Sequence, residues 1–326
     1  MDWLTARLMA VLIADFPPMK KLISIAVSLI ILVVLYLKID FSALLDVFEQ
    51  SHRGWMIMGL GMVIPITMLT AWRLQQLTPK KATLTFGEGN RLILAASVLN
   101  MVLPSKMGDI AKAYFIQKRG ALNGSLALSL VIFEKTCDLL ALLFWCAFGL
   151  FLYPEKGGLF WGMTVVISSG LAFGLLLLAS RSFADRCFQW GQNVAPKKVG
   201  EKLETLGTAW GEMHHYFWRD RAGLLRLTIT SIFLWFLHLF QIWLFILALK
   251  AWTPFLASLA LSPLAILAGL LPLTFAGIGT RDAALVFFYS SDLNAPTAAA
   301  LGLLCTSRYL IPAVAGLPFM GRYLTK

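Results

Sequence analysis

Leu103-Pro104-Ser105-Lys106-Met107-Gly108-Asp109 and Leu271-Pro272-Leu273-Thr274-Phe275-Ala276-Gly277-Ile278-Gly279-Thr280-Arg281-Asp282 interrupt two long apolar stretches in nearly the same way. Each phrase has Leu-Pro, then glycine, then an acidic residue, with a cation close by, and each precedes a short apolar helix candidate. In water this is ordinary loop punctuation. In a bilayer, unpaired backbone is so costly that a broken helix persists only where protein or a water-filled cavity surrounds it. Matching breaks in two halves of one chain point to a binding site between internal repeats.

Composition places both breaks in a membrane. Of 326 residues, 59% are hydrophobic and only 14% charged, and the mean hydropathy of +0.76 exceeds what a soluble core needs. The net charge of +11 does not argue for nucleic acid, because the cations gather in loops on one side of the expected topology, the bias that orients membrane proteins. Cys137, Cys146 and Cys305 lie in apolar spans and Cys187 in a polar linker, without metal or redox spacing. The four histidines form no ligand set either, so no metal and no cofactor is expected. Met19-Lys20-Lys21 followed by residues 22–37 resembles a secretory signal, but no small-residue cleavage site follows, so it reads as a retained first span. Residues 1–19 read as a short appendage, with Met19 as an alternative start.

Apolar runs cover 22–37, 55–72, 92–104, 124–153, 159–179, 224–249, 255–271, 283–290 and 297–319. A crossing takes ~20 residues, so 92–104 and 283–290 are too short to cross alone. The reading is therefore an all-α polytopic membrane protein with six full transmembrane helices and two broken re-entrant hairpins, 92–118 and 255–290. The order span, span, hairpin, span occurs twice, in 20–153 and 154–326, and the second set starts from the opposite side. That is an inverted repeat whose hairpin tips meet near the midplane. With both termini inside, nineteen cations fall on the inner side against four outside, Lys38, Arg53, Lys156 and Lys250, which sets a cytoplasmic-membrane orientation. Between the halves, Leu203, Leu206, Trp210, Met213 and Phe217 make one apolar stripe, so 180–223 reads as an amphipathic helix in the inner interface. Docking of a partner is its alternative role.

Nine ionisable residues remain at membrane depth: Lys106, Asp109, Lys112, Glu134, Lys135, Asp138, Arg281, Asp282 and Arg308. Such residues face a cavity and pair there. Glu134 and Asp138 share one helix face, with Lys135 rotated away. One of them either pairs with Arg281 or Arg308 as an interhelical lock, or the two carboxylates balance the site's cations or carry a proton that couples transport. Asp109 and Asp282 open the second arms of the hairpins, where a carboxylate can cap free N–H groups. Those same helix starts suit an anion such as phosphate, with Lys112 and Arg281 adding charge. Gly108, Gly277 and Gly279 would let backbone approach closely. Arg308 has no local acid and needs a ligand or Glu134. His238 and Gln241 read as interhelical hydrogen-bonders.

These residues resemble the lysylphosphatidylglycerol synthase/flippase transmembrane family. The likeness rests on Leu103-Pro104 through Gly108-Asp109 to Lys112 and Tyr114, on Glu134-Lys135 with Asp138, and on Leu271-Pro272 through Gly277, Gly279, Arg281 and Asp282. It spans about residues 20 to 320. Arginine is commoner in the family at the positions of Lys112 and Lys135, a change that keeps the charge. The resemblance implies a translocator of phospholipids or polyprenyl-phosphate sugars; nothing here matches the soluble transferase domains some members carry.

The expected function is thus a flippase that admits an anionic phosphate headgroup to a polar cavity while the tails stay in the bilayer. Lys106, Lys112, Arg281, Arg308 and the two helix starts would hold the phosphate. Glu134 and Asp138 would balance those cations when the site is empty or bind an amino or sugar group on the headgroup, with Lys135 among the lining charges. The alternatives are an intramembrane lipid-modifying transferase and a membrane scaffold for a separate transferase. A second copy of the chain stays open as a partner.

Overall fold

The computed structural model describes residues 41–78, 84–102, 108–118, 122, 124–153, 156–271 and 278–324. The expected first span at 22–37 and most of both Leu-Pro breaks, with Pro104, Lys106, Pro272 and Gly277, lie outside the described residues. Among the described residues the chain is all helical. In order the helices are α1 (Phe41–Glu49), α2 (Arg53–Gly61), α3 (Val63–Leu77), α4 (Phe86–Val102), α5 (Gly108–Lys118), α6 (Gly124–Leu152) and α7 (Gly158–Ala179). Then come α8 (Arg181–Val194), α9 (Lys197–Arg219), α10 (Arg221–Ala248), α11 (Phe255–Ala268), α12 (Thr280–Phe288) and α13 (Ala295–Leu324).

Four of these are long and apolar enough to cross a membrane: α2 with α3 as Arg53–Leu77, α7, α10, and Ala295–Met320 of α13. The 29-residue α6 is about 40 Å long, but Glu134, Lys135 and Asp138 interrupt its apolar run. Helix α7 is apolar all round, and Trp161, Val165, Val166, Phe173 and Leu175 stand out from the protein. Lipid is the solvent that suits such a surface.

Local chemistry sets several helix starts. Thr85 and Glu88 form a reciprocal cap: the Thr85 N–H donates to Glu88 Oε2 at 3.0 Å and the Glu88 N–H to Thr85 Oγ1 at 3.4 Å. This box begins α4 six residues before the apolar run. Asp220 accepts from the Gly223 N–H at 2.9 Å and starts α10.

Two close crossings join α6 to α11 and α13 to α4. A Cβ on Gly149 of α6 would overlap the Ala260 carbonyl of α11, and a Cβ on Gly316 of α13 would overlap the Leu94 carbonyl of α4. Helix α6 therefore lies backbone-to-backbone on α11, and α13 on α4, where only glycine fits. The short helices follow suit, with α5 packed on α4 and α6, and α12 on α11 and α13.

The segment 180–223 departs from its expected form. It is two helices, α8 and α9, turned at Ala195-Pro196 because proline ends the preceding helix geometry. Two aromatic residues of the α9 stripe pack on α6. Phe217 stacks on Phe133 of α6 at 4.2 Å between ring centroids, Trp210 lies 6.3 Å from the same ring, and the Trp210 indole N–H donates to the Leu177 carbonyl at 3.3 Å. Aromatic area that could have met lipid is buried against α6 instead. Helix α1, which the sequence left as a connection, packs Leu44 into the core beside α13.

Candidate functional site

A cavity of about 240 Å³ opens among α3, α4, α5, α6, α10 and α13. Its wall carries Arg73, Asp109, Lys112, Glu134, Lys135, Asp138 and Arg308. Asp109, one residue past Gly108, and Ile278, one residue before Gly279, line the same space. Residues beside the two breaks are thus brought together.

Six of the charges close a ring of alternating sign. Arg73 Nη2 lies 3.0 Å from Glu134 Oε1, and Lys112 Nζ lies 2.8 Å from Glu134 Oε2. Lys112 Nζ is also 3.2 Å from Asp109 Oδ1, whose Oδ2 is 2.8 Å from Lys135 Nζ. Lys135 Nζ reaches Asp138 Oδ2 at 3.5 Å, and Asp138 returns to Arg73 through a two-pronged contact. Arg73, Lys112 and Glu134 are all but fully buried. A buried charge is tolerated when paired and hydrogen-bonded, and each member here has two opposite neighbours. Arg73 further donates to Ser231 Oγ of α10 at 2.9 Å. The ring ties α3, α5, α6 and α10 together.

Several expectations are corrected by this ring. Glu134 and Asp138 do not pair with Arg281 or Arg308; Arg73 and the two lysines take them first. Lys135 is rotated away as a backbone position, but its long side chain bends back to Asp109 and Asp138. Arg73 itself stood among the inner-side cations. Helix α3 runs on to Leu77, past the apolar run ending at 72, and so carries Arg73 inward. An arginine one residue beyond an apolar run, with two unpaired carboxylates elsewhere in the chain, was the available signal.

Arg281 does not line the cavity. Its guanidinium lies against Asp282 Oδ1 at 2.6 Å and donates to the Gly302 carbonyl at 3.1 Å and Thr306 Oγ1 at 2.6 Å. Asp282 Oδ2 accepts from the Gly279 N–H at 3.0 Å. The carboxylate thus serves the capping role weighed for it. Gly279, with φ of 100°, holds a backbone conformation that side-chain-bearing residues rarely adopt. A Cβ on Gly108 would overlap the Ala96 carbonyl, so that glycine seats α5 on α4.

Arg308 differs from every other cation here. It is 5% exposed, and among the described residues no carboxylate lies within ion-pair distance of it. Nη2 donates to the Tyr309 hydroxyl at 2.9 Å, while Nε and Nη1 have no partner. An uncompensated buried guanidinium is costly, which marks it as a place for a negative ligand. Gln241 donates to the Gly59 carbonyl at 2.8 Å, the interhelical bond expected of it, and His238 also lines the cavity. Among the described residues no three His, Cys, Asp or Glu side chains gather as metal ligands.

An apolar helical bundle with a charged interior chamber defines a multi-pass membrane protein. The chain belongs to the family described as the lysylphosphatidylglycerol synthase TM region, which it matches over residues 21–316. It is also similar to a UPF0104 membrane protein of Methanocaldococcus jannaschii, 23% identical over 245 residues, 69% of this chain and 71% of that protein.

Proposed function

We propose that the protein is a lipid translocator that carries a phosphate-bearing headgroup through the interior cavity while the tails stay in the bilayer. The observation that carries this reading is Arg308: a buried cation without a counter-ion among the described residues, on the wall of a chamber lined by mutually paired charges. The family's name ties it to a phosphoglyceride lipid, which suits such a chamber. An intramembrane transferase would need a donor site and a free acid–base pair, and the carboxylates beside the cavity are held in the ring.

An inverted repeat with two re-entrant hairpins would supply the motion. Helices α4, α5, α11 and α12 are 17, 11, 14 and 9 residues long, each less than the ~20 a crossing takes. The paired crossings of Gly149 on Ala260 and Gly316 on Leu94 relate the halves as such a repeat would. Rocking one half against the other would expose the chamber alternately to each leaflet. The ring must then open or turn as a unit, since it joins the α5 start to α3 and α10.

The test is lipid movement between leaflets of liposomes holding the purified protein. Wild type should move phosphate-headgroup lipid, and Arg308→Ala, shown folded by its elution profile, should move it about tenfold or more slowly, the cost of losing one buried charge contact. Movement by Arg308→Ala at the wild-type rate would overturn the site, and no movement by wild type would overturn the function.

A further inference from the structure

Packing of α9 on α6 leaves a second apolar face on the α8–α9 pair, and that face lies on α8. Phe183, Cys187, Trp190 and Val194 recur at three- and four-residue steps, so they share one side of the helix. The adjoining side is spent on α9. A Cβ on Gly191 would meet Leu203, a Cβ on Gly207 of α9 would meet Phe188, and Phe188 lies 6.4 Å from Trp210 between ring centroids. Ala184 on that side is fully buried. Trp190 and Val194 stand out instead, 70% and 67% exposed, with Val199 beyond the turn exposed as well.

The stripe begins on a surface that suits lipid. Phe183 packs edge-on against Phe173 of α7, 5.7 Å between centroids, and Phe173 is itself half exposed. No linker separates the two helices. The Ser180 N–H donates to the Leu176 carbonyl, closing α7, and Ser180 Oγ accepts from the Phe183 N–H at 3.3 Å, opening α8. The pair is also fastened to the last turn of α7, where the Trp210 and Trp218 indoles donate to the Leu177 and Leu178 carbonyls at 3.3 and 2.8 Å. Helix α8 is thus held where α7 ends, with its stripe continuing the outer surface of that span. Around the stripe, 181–202 carries five cations, Arg181, Arg186, Lys197, Lys198 and Lys202, against Asp185 and Glu201. Arg186 and Lys197 are exposed.

We propose that α8 is an interfacial anchor that lays Trp190 and Val194 into an anionic leaflet, the inner one in the expected orientation. The interfacial role expected of the α9 stripe falls to α8 instead. An amphipathic helix settles at the headgroup level with its apolar side down, and neighbouring cations add attraction to anionic lipid. Trp190 suits that depth, because an indole has an apolar body and one N–H for the wet side. A second copy is the poorer occupant: a twofold contact on this face would set the same cations against each other. The anchor is independent of what the chamber carries.

A depth measurement in nanodiscs tests it. The full chain with Cys187→Ala, its other three cysteines being buried, carries one NBD fluorophore at Val194→Cys or, on the polar side of α8, at Gln189→Cys. Elution profiles show both proteins folded. In phosphatidylcholine nanodiscs containing phosphatidylglycerol, lipid spin-labelled high on its acyl chain should quench the Val194→Cys probe about threefold or more strongly than the Gln189→Cys probe, and aqueous iodide should do the reverse. Omitting phosphatidylglycerol, or combining Lys197→Glu with Lys198→Glu, should lower lipid quenching of the Val194→Cys probe by about half. Equal quenching of both probes by iodide would put the stripe in water and overturn the anchor. Protection of the Val194→Cys probe from iodide and spin-labelled lipid together would place protein, such as a second copy, on this face and overturn it equally. Lipid quenching indifferent to phosphatidylglycerol and to charge reversal would overturn the choice of an anionic leaflet.

Discussion

Glu134 sits between Arg73 and Lys112, 0% exposed, and each of its oxygens faces a different cation. Glu134→Gln would leave two buried cations short of a partner. Removing one member of a buried pair costs about 3–5 kcal/mol, and that loss should appear as a lowered unfolding midpoint in detergent. The paired change Arg73→Met with Glu134→Leu removes equal and opposite charge, so it should recover most of the loss. Failure of the pair to recover stability would mean that the ring is not a closed electrostatic unit. Arg308 is expected to behave in the opposite sense. Its charge is already uncompensated, so Arg308→Met should hold or raise the midpoint while abolishing anion binding, the pattern of a group kept for function rather than stability.

At the scale of helices, two glycines set how closely α6 approaches α11 and α13 approaches α4. Gly149→Val and Gly316→Val each place carbon onto a neighbouring carbonyl and should destabilise by about 1–3 kcal/mol through overpacking. Gly61→Val, with nothing within 4 Å of its built Cβ, is the matched control and should shift the midpoint little. Thermal unfolding of the three variants checks this; equal effects would mean that the α6–α11 and α13–α4 crossings do not hold the hairpins. The α8–α9 pair shows how a helix's own pattern can mislead about its surroundings. The stripe through Trp210 and Phe217 is a real amphipathic face, but amphipathicity states only that one side wants an apolar neighbour. Phe133 of α6 met that need before lipid could.

For the whole molecule, the positive bias of the inner segments survives the loss of Arg73 to the interior, eighteen cations against four. Single cysteines at Lys197 and Lys156, in a background lacking the four native cysteines, should react with a membrane-impermeant maleimide from the inner and outer faces respectively. Both residues are exposed. Labelling of both from one side would overturn the topology and with it the inverted repeat. The helical class and the apolar runs were legible because each is a local property, a run length and its composition; Arg73, one residue past its run, was not. Pairing was not legible. Arg73 and Asp138 are 65 positions apart, and nothing in either neighbourhood names the other.

By itself the sequence determined that this chain is a helical membrane protein with ionisable groups set among its apolar runs; hydropathy and backbone satisfaction in lipid suffice for that. Only the tertiary structure decided which charges cancel and which one is left over. Pairing depends on distances of about 3 Å between side chains from different helices, and those are set by the crossing of α3, α5 and α6 rather than by any residue's own identity. The packing of α12 on α13 likewise holds Arg281 against Asp282, Gly302 and Thr306, and among the described residues Arg308 is the cavity-wall cation left without a carboxylate.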